Sequence, residues 1–595
     1  MKAKTMLGVV LLTLGAAAAL SGCGKAEHAS KKEHASTKAH EAVTFMAPYM
    51  DTDRFIEAVH AKYPEVNIEI IPYSGDNTTT YLQNMMAAGD LPDVCTMTVY
   101  DPYVADFSAQ LLDLSGYEFT DRYVESRLRD VADEGAIYML PSAYSCFGII
   151  YNKRLLAEHG WTRPNSFEEL EELAAKAKEA GVQLCEAQVQ YPGYGFQYLC
   201  NIADADFLGA LDGRQWQKDY LSGSADVRSN EGMMKSMAYI QKWKDLGMLT
   251  LAPIEDAADD QAVRDHFLES NTLFMLGNTN GIIDVEGNED SYGLMPYLSE
   301  DGDQNVYILN VNRYYGLNKK LEETPEKLED ALKVMDVLST VEGTQALYTE
   351  DQLKVKLLPF KDAEADETFY GEIADEINAG STAPFIYSGW ENTIVTTGNR
   401  MLDFIKDEAG IEDVIDQLEN DQALVVNQQP EIYTTTTETI SQENCARLVG
   451  KCFMEATDSA AALISLGTWI PGNGLDQNRQ GVGGKLYAKK ISDYDICTIL
   501  PTSWGGTIKT VRLSGKEIRE LAEEGCDILG NGTHYPYVLS TAQELQDETE
   551  YQVVLCGASE ALKAAHEITD SGVVGMDAAK AYLRRFETLS EKDLA

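Results

Sequence analysis

Between residues 43 and 94 short apolar strands alternate with amphipathic helices, and this alternation restricts the fold more than any other feature of the chain. Residues 43–46 (VTFM) read as a strand. Residues 51–63 read as a helix with Phe55, Ile56, Val59 and His60 on one side. Residues 66–72 alternate as a second strand, 78–88 are helical, and the turn at 89–94 leads into a third strand. Strand, helix, strand, helix, strand is the pattern of βαβ units around a parallel sheet.

One such unit does not account for 595 residues, and two to four domains are expected. The formal charge of −48 sets an acidic surface against nucleic acid and anionic lipid, so no nucleic-acid partner is expected. Such a surface fits a dispersed protein that binds neutral or cationic ligands. Tyr is abundant at 31 residues against 6 Trp, a composition suited to polar stacking recognition. The ten Cys are scattered, with no C-x-x-C and no Cys/His cluster, so neither a metal nor a cofactor site is expected.

Residues 135–160 (GAIYMLPSAYSCFGIIYNKRLLAEHG) join two regions. An apolar run at 137–140 stops at Pro141, and a second run at 147–151 is rich in β-formers. A helix opens at Asn152-Lys153-Arg154 and ends at Gly160. The polar bend at 142–145 carries Tyr144 between two expected buried strands, a place from which an aromatic ring can enter a cleft. The pattern resembles the extracellular solute-binding proteins of ABC importers, in the branch with the maltose- and oligosaccharide-binding proteins. The matching residues are Gly135, Tyr138, Pro141, Tyr151, Asn152 and Lys153, together with the A-A-G-D-x-P-D turn at 87–93 and the S-F-E-E-L segment at 166–170. Gly293-Leu294-Met295-Pro296 and the 314–318 segment resemble that family's return crossings between lobes, and 384–390 resembles its closing segment.

The resemblance implies an α/β, two-lobe periplasmic-binding-protein-like fold over 42–430, with a cleft between the lobes. Sugars present apolar C–H faces and many hydroxyls, which suit aromatic platforms beside carboxylates and amides. Strand ends of the first lobe supply the candidates Tyr49, Asp51, Tyr73, Tyr100 and Asp101. Tyr144 follows from the bend. Tyr194 and Phe196 come from 191–196 (YPGYGF), read as a Gly-rich loop whose backbone can approach a ligand. Asn278 stands at the end of the apolar strand 272–276, where many family members carry an aromatic residue. Tyr314 and Trp390 complete the set.

At the N-terminus Lys2 and Lys4 precede an apolar run, 6–20, and then Leu20-Ser21-Gly22-Cys23. This is a secretory signal too short for a permanent span, and its ending resembles a bacterial lipobox. That likeness implies a signal peptide at 1–22, lipidation of Cys23 and attachment to the extracytoplasmic face of a bacterial membrane. Residues 23–41 read as a polar stalk in which EHAS occurs twice.

A boundary is expected near 431, after a Gln/Asn/Pro stretch. In 431–595 a helix with Cys445, Leu448, Val449, Cys452 and Phe453 at helical spacing is followed by strands at 460–466, 495–501, 507–513 and 550–556. A capping box at Ser514 and Glu517 opens a helix ending at Gly525. This order resembles the C-terminal, substrate-specificity domain of the 5′-nucleotidases and implies a separate α/β domain. Its N-G-G-x-R loop is replaced around Trp469, with Arg479 displaced, and the terminal G-G-D-G loop is absent; Trp469, Arg479 and Trp504 stand where a changed pocket could lie. The two-metal hydrolase chemistry of the nucleotidases needs clustered Asp, His and Asn ligands. The chain has eight His and no D-x-H, H-x-H or G-x-S-x-G string, so no catalytic residues are expected. The expectation is a lipid-anchored binding protein, not an enzyme, that delivers a small-molecule solute, a sugar or oligosaccharide, to ABC permease subunits. The competing readings are a surface nucleotidase-related hydrolase, a nucleotide- or nucleoside-binding lipoprotein, and a sensory or adhesion lipoprotein.

Overall fold

A computed structural model of the chain describes residues 41–594, apart from 48–51, 72, 74–77, 103–105, 256, 258, 279–281, 283–289, 365–369, 386–389, 428–429, 469–480, 503–504 and 531. The signal peptide, Cys23 and almost all of the stalk lie outside the described residues, as do Tyr49, Asp51, Trp469, Arg479 and Trp504.

The opening alternation folds as its period requires. Strands β1 (Val43–Met46), β2 (Ile68–Ile71) and β3 (Val94–Met97) are separated by helices Thr52–Lys62 and Thr78–Ala88. β1 pairs in parallel with both β2 and β3. The chain then runs through β4 (Leu140–Pro141), β5 (Tyr144–Phe147) and β6 (Ile149–Asn152). Of the apolar run at 137–140 only Leu140 joins a strand, opposite Tyr315, with Pro141 opposite Tyr314. Gly148 separates β5 from β6 where a Cβ would sit 2.5 Å from the Met295 carbonyl oxygen, a closeness that only Gly permits.

β7 (Gln183–Ala187), β8 (Thr272–Leu276) and β9 (Tyr292–Met295) complete a sheet in the order β7-β8-β6-β9. β10 (Tyr307–Val311) pairs antiparallel with β5 and parallel with β12 (Thr382–Pro384). β11 (Tyr314–Leu317), two residues after β10, belongs to the first sheet instead, in the order β2-β1-β3-β11-β4. The chain therefore crosses between two α/β lobes at 142–143 and again at 312–313. The crossings are tied together: Ser142 N–H donates to the Arg313 carbonyl at 2.8 Å, and Asn312 N–H donates to the Ala143 carbonyl at 2.9 Å. A third pass runs alongside, where Tyr144 and Leu357 exchange backbone hydrogen bonds of 2.9 and 2.8 Å. Three adjacent extended passes form the hinge between the lobes.

Two sequence readings are corrected. Residues 192–196 are not a Gly-rich loop but the start of helix Pro192–Ala203, with Pro at its first position. Its glycines serve helix packing. A Cβ on Gly195 would lie 2.3 Å from the Gly398 carbonyl oxygen, and one on Gly398 would lie 2.1 Å from that of Pro192, so this helix and Glu391–Ile405 touch backbone to backbone. Residues 495–501 are likewise not a strand. Helix Asp493–Cys497 starts there, because Ser492 and Asp495 form a capping box that outweighs the β-formers following it.

In the first lobe Asp336, on helix Pro325–Leu338, ties that helix to the end of helix Thr52–Lys62 and to the turn Glu118–Arg122. It accepts from Lys62 Nζ at 2.5 Å and from the Tyr63 hydroxyl at 2.7 Å, and it pairs with Arg122. Burial acts to raise its carboxyl, but these partners hold it below the usual carboxylate range. A depressed folded-state value means that the stabilisation is present above the unfolded carboxylate value, near ~4, and is lost as pH falls through the folded one. Asp336→Asn is expected to cost about 1–2 kcal/mol at pH 7, since Lys62 and Arg122 are partly solvated. The gap from wild type should close below about pH 3 in denaturant melts across pH. A gap that stays constant down to pH 2.5 would show that Asp336 does not act through its charge.

From β13 (Thr434–Thr436) onward the chain builds two further sheets. β14 (Ala461–Ser465), β16 (Thr507–Ser514), β17 (Tyr537–Thr541), β18 (Glu550–Cys556) and β19 (Thr569–Val574) form a mixed sheet ordered β17-β14-β18-β16-β19. β15 (Lys490–Ile491), β13 and β20 (Thr588–Leu589) form a small one. Helix Gln442–Thr457 packs its Cys445, Val449 and Phe453 stripe on one face of the large sheet, and Ile518 of helix Gly515–Glu524 packs on the other. This region is not isolated from the lobes, since residues 40–595 form one compact unit. It is seated on the first-lobe helix Thr78–Ala88. Tyr487 joins that lobe's core and donates to Asp90 at 2.9 Å, and Asn84 donates to Asp495 at 3.0 Å. Lys489 bridges Asn84 and Asp495, at 2.9 Å from each.

Candidate functional site

Parallel strands end their pairing at their carboxyl ends, so a crevice opens there and the loops that follow line it. In the first lobe the loop after β3 carries Tyr100 and Asp101. They face a cavity of about 330 Å³ whose other walls come from helix Glu125–Arg129, from the crossing at 310–314 and from the second lobe. Its size falls in the range of small-molecule sites.

Aromatic and charged groups share the walls. The rings of Tyr100 and Tyr314 lie 5.5 Å apart at 50°, and Tyr100 is backed by Phe107 at 5.2 Å. Asn310 and Asn312 add amides. Arg214, from the second-lobe helix Leu211–Ser222, reaches across the cleft to Asp101 at 2.8 Å, with both side chains only 9% exposed. This ion pair spans the two lobes, so it is made only when they are closed on each other. Asp204, at the start of a π-helical turn, lies close enough to Arg214 to feel its charge. Burial raises the Asp204 carboxyl well above the usual range while Arg214 opposes the shift.

Arg127 is almost wholly buried. Its Nη2 donates to Thr382 Oγ1 at 2.8 Å and to the Ile377 carbonyl at 3.4 Å, and it lies 3.3 Å from Asp130. Burial raises the Asp130 carboxyl in spite of Arg127, Arg129 and Arg214. Arg313 donates from Nη1 to the Asn312 carbonyl at 2.6 Å.

Of the residues singled out in the sequence, Tyr100, Asp101 and Tyr314 are brought together here. The others are not. Tyr73 is buried in the first-lobe core, its ring stacked on Tyr81 at 4.4 Å. Tyr144 is buried beside the hinge with Arg127 over its ring at 5.6 Å, and it borders a smaller cavity of about 110 Å³. Phe196 and Trp390 pack on each other at 5.5 Å in the second-lobe core. Tyr194 donates to Asp260 at 2.9 Å. Asn278 is exposed at the end of β8, its backbone N–H donating to Gln188 Oε1 at 2.6 Å. The three arginines were missed. Each stands in a different segment without a motif, and only the scarcity of basic residues in the chain marked them.

The sequence profile described as bacterial extracellular solute-binding protein matches residues 54–370, more than half of the chain and most of the residues that line the cleft. The chain belongs to the bacterial extracellular solute-binding proteins. Proteins of this family bind a solute and are not enzymes, in line with the reading of the sequence. Solved structures show the same fold. A family 1 extracellular solute-binding protein from Bifidobacterium longum subsp. infantis superposes with a TM-score of 0.51 at 17% identity, over 64% of this chain and 99% of that one. The binding protein MsmE of Bacillus subtilis, in an open conformation, gives 0.52 at 13% identity over 65% and 98%. The bacterial solute receptor AcbH gives 0.50 at 16% identity over 65% and 99%. A comparison with curated proteins finds no match. This solute-binding protein thus spans the full length of its structural neighbours and carries a further third of its chain beyond them.

Proposed function

We propose that this protein captures a sugar or oligosaccharide between its lobes and delivers it to an ABC permease, tethered to the extracytoplasmic face of the membrane by a lipid on Cys23. The observation that carries the reading is the pairing of Tyr100 and Tyr314, 5.5 Å apart, beside carboxylates and amides in one cavity crossed by an inter-lobe ion pair. Apolar ring faces match sugar C–H faces, and Asp101, Asn310 and Asn312 match hydroxyls. The fold neighbour AcbH is a receptor with a preference for β-D-galactopyranose, a ligand of this chemistry. A solute that touches both lobes stabilises the closed form by its differential contacts, and that form is what a permease would read.

Residues 431–595 act in this reading as a non-catalytic module related to the C-terminal domain of the 5′-nucleotidases. The likeness is supported by the capping box at Ser514 and Glu517 after a long strand, and by the helix Gln442–Thr457 ahead of β14.

A thermal-shift screen of the full-length protein against saccharides, nucleosides, nucleotides and peptides tests the proposal, because a ligand that binds only the folded state raises the melting temperature. A saccharide hit that weakens at least tenfold in Tyr314→Ala is expected. A nucleoside or nucleotide hit that is indifferent to Tyr314→Ala and Tyr100→Ala would move the function to the C-terminal region and overturn it.

A further inference from the structure

The cavity walls hold three arginines, Arg127, Arg214 and Arg313, against two aspartates, Asp101 and Asp130. The chain as a whole has the opposite balance, with 48 basic residues to 96 acidic ones. Guanidinium groups gathered in a part-buried space repel one another and lose hydration, so such a gathering is stable only with matching anions. Two of the three are held by their own backbone and side-chain partners before any solute arrives. Arg127 is fixed by Thr382, Ile377, Ser126 and the Asp130 carboxylate, yet its Nη1 is buried and donates to no acceptor among the described residues. The Nε of Arg313 is buried in the same condition, while its Nη1 is engaged by the Asn312 carbonyl. A guanidinium held in place beside a cavity is the usual receptor for an oxyanion. Arg214 is engaged by Asp101 in the closed form, where an incoming acid group can take the place of that carboxylate.

We infer that the solute is an acidic sugar, one bearing a carboxylate or a sulfate ester, with the acid group received by Arg127 and Arg313 and the ring set against Tyr100 and Tyr314. The inference rests on the sugar-binding reading above and narrows it.

The test uses the full-length protein and calorimetric titration with three sets of probes: oligogalacturonates, the same oligomers as methyl esters, and sulfated galacto-oligosaccharides beside their unsulfated forms. Methyl esterification removes the charge and leaves the sugar, so this comparison needs no altered protein. At least tenfold tighter binding of an acid form than of its neutral twin is expected, with the uronate and sulfate arms telling which acid group is carried. Arg313→Gln, at the half-buried position, should reduce that preference to within about twofold, with Arg127→Lys as a second variant that keeps the charge but loses the fork. Equal or tighter binding of the neutral forms would overturn the inference and leave the sugar reading standing. Absence of binding by every saccharide, acid and neutral, would overturn both.

Discussion

Trp390→Ala is expected to lower the stability of the second lobe by about 3–5 kcal/mol, the range for removing a large aromatic side chain from a core. Trp390 is 1% exposed and packs on Tyr220 at 5.0 Å, Phe196 at 5.5 Å and Trp216 at 6.4 Å. No other side chain can fill the space, because helices Pro192–Ala203 and Glu391–Ile405 already meet at the backbone near Gly195 and Gly398 and cannot move closer. The affinity of the remaining folded protein for its solute should change less than twofold. Urea melts and titration on the same preparation separate the two effects. A variant of near-native stability with lost affinity would return Trp390 to the binding site and contradict the packing described here.

Asp495→Ala is expected to loosen the C-terminal region from the first lobe at a cost of about 2–3 kcal/mol. Asp495 is buried at the junction, where it accepts from Asn84 at 3.0 Å and pairs with Lys489 at 2.9 Å, besides capping its own helix through Ser492. Its loss leaves Asn84 facing Lys489 with no carboxylate between them. The figure is set below that for a fully buried ion pair because Lys489 is 41% exposed. Calorimetry should then show the region from 431 onward melting separately from the lobes. Asn84→Ala, which spares the helix cap, should give the same separation at a smaller cost. A single transition at the wild-type temperature in both variants would mean that Tyr487, Tyr81 and Asp90 hold the junction unaided.

The junction also bears on how the protein moves. Helices Glu391–Ile405 and Ile411–Asn427 pack with the second lobe, where Tyr220 donates to the Leu418 carbonyl at 2.6 Å. The chain then leaves the second lobe and enters a region seated on the first. An opening of the cleft about the crossings would leave these contacts between the C-terminal region and the first lobe unbroken.

Much of the architecture was legible from local rules. The βαβ period at 43–94, the cap at Ser166 before helix Phe167–Ala180 and the box at Ser514 and Glu517 each depend on residues within four positions, so the sequence displays them directly. Local rules failed where two segments distant in sequence meet. Gly193 and Gly195 read as a loop because nothing near them shows that Gly398 will press against that backbone. Residues 495–501 are a different case: there two local signals compete, a run of β-formers and the Ser492–Asp495 capping box, and the box prevails.

The site divides in the same way. Tyr100 and Asp101 follow the end of β3 and Tyr314 opens β11, and strand ends of this kind can be read from periodicity. By itself the sequence determined the family, the two α/β lobes and the aromatic character of the cleft, since each is written in spacing and residue type. Only the tertiary structure decided which aromatics are core and which are wall. It alone brought together Arg127, Arg214 and Arg313 from segments up to 186 residues apart (313 − 127). Burial and charge balance belong to the folded surface, and no window of the chain contains them.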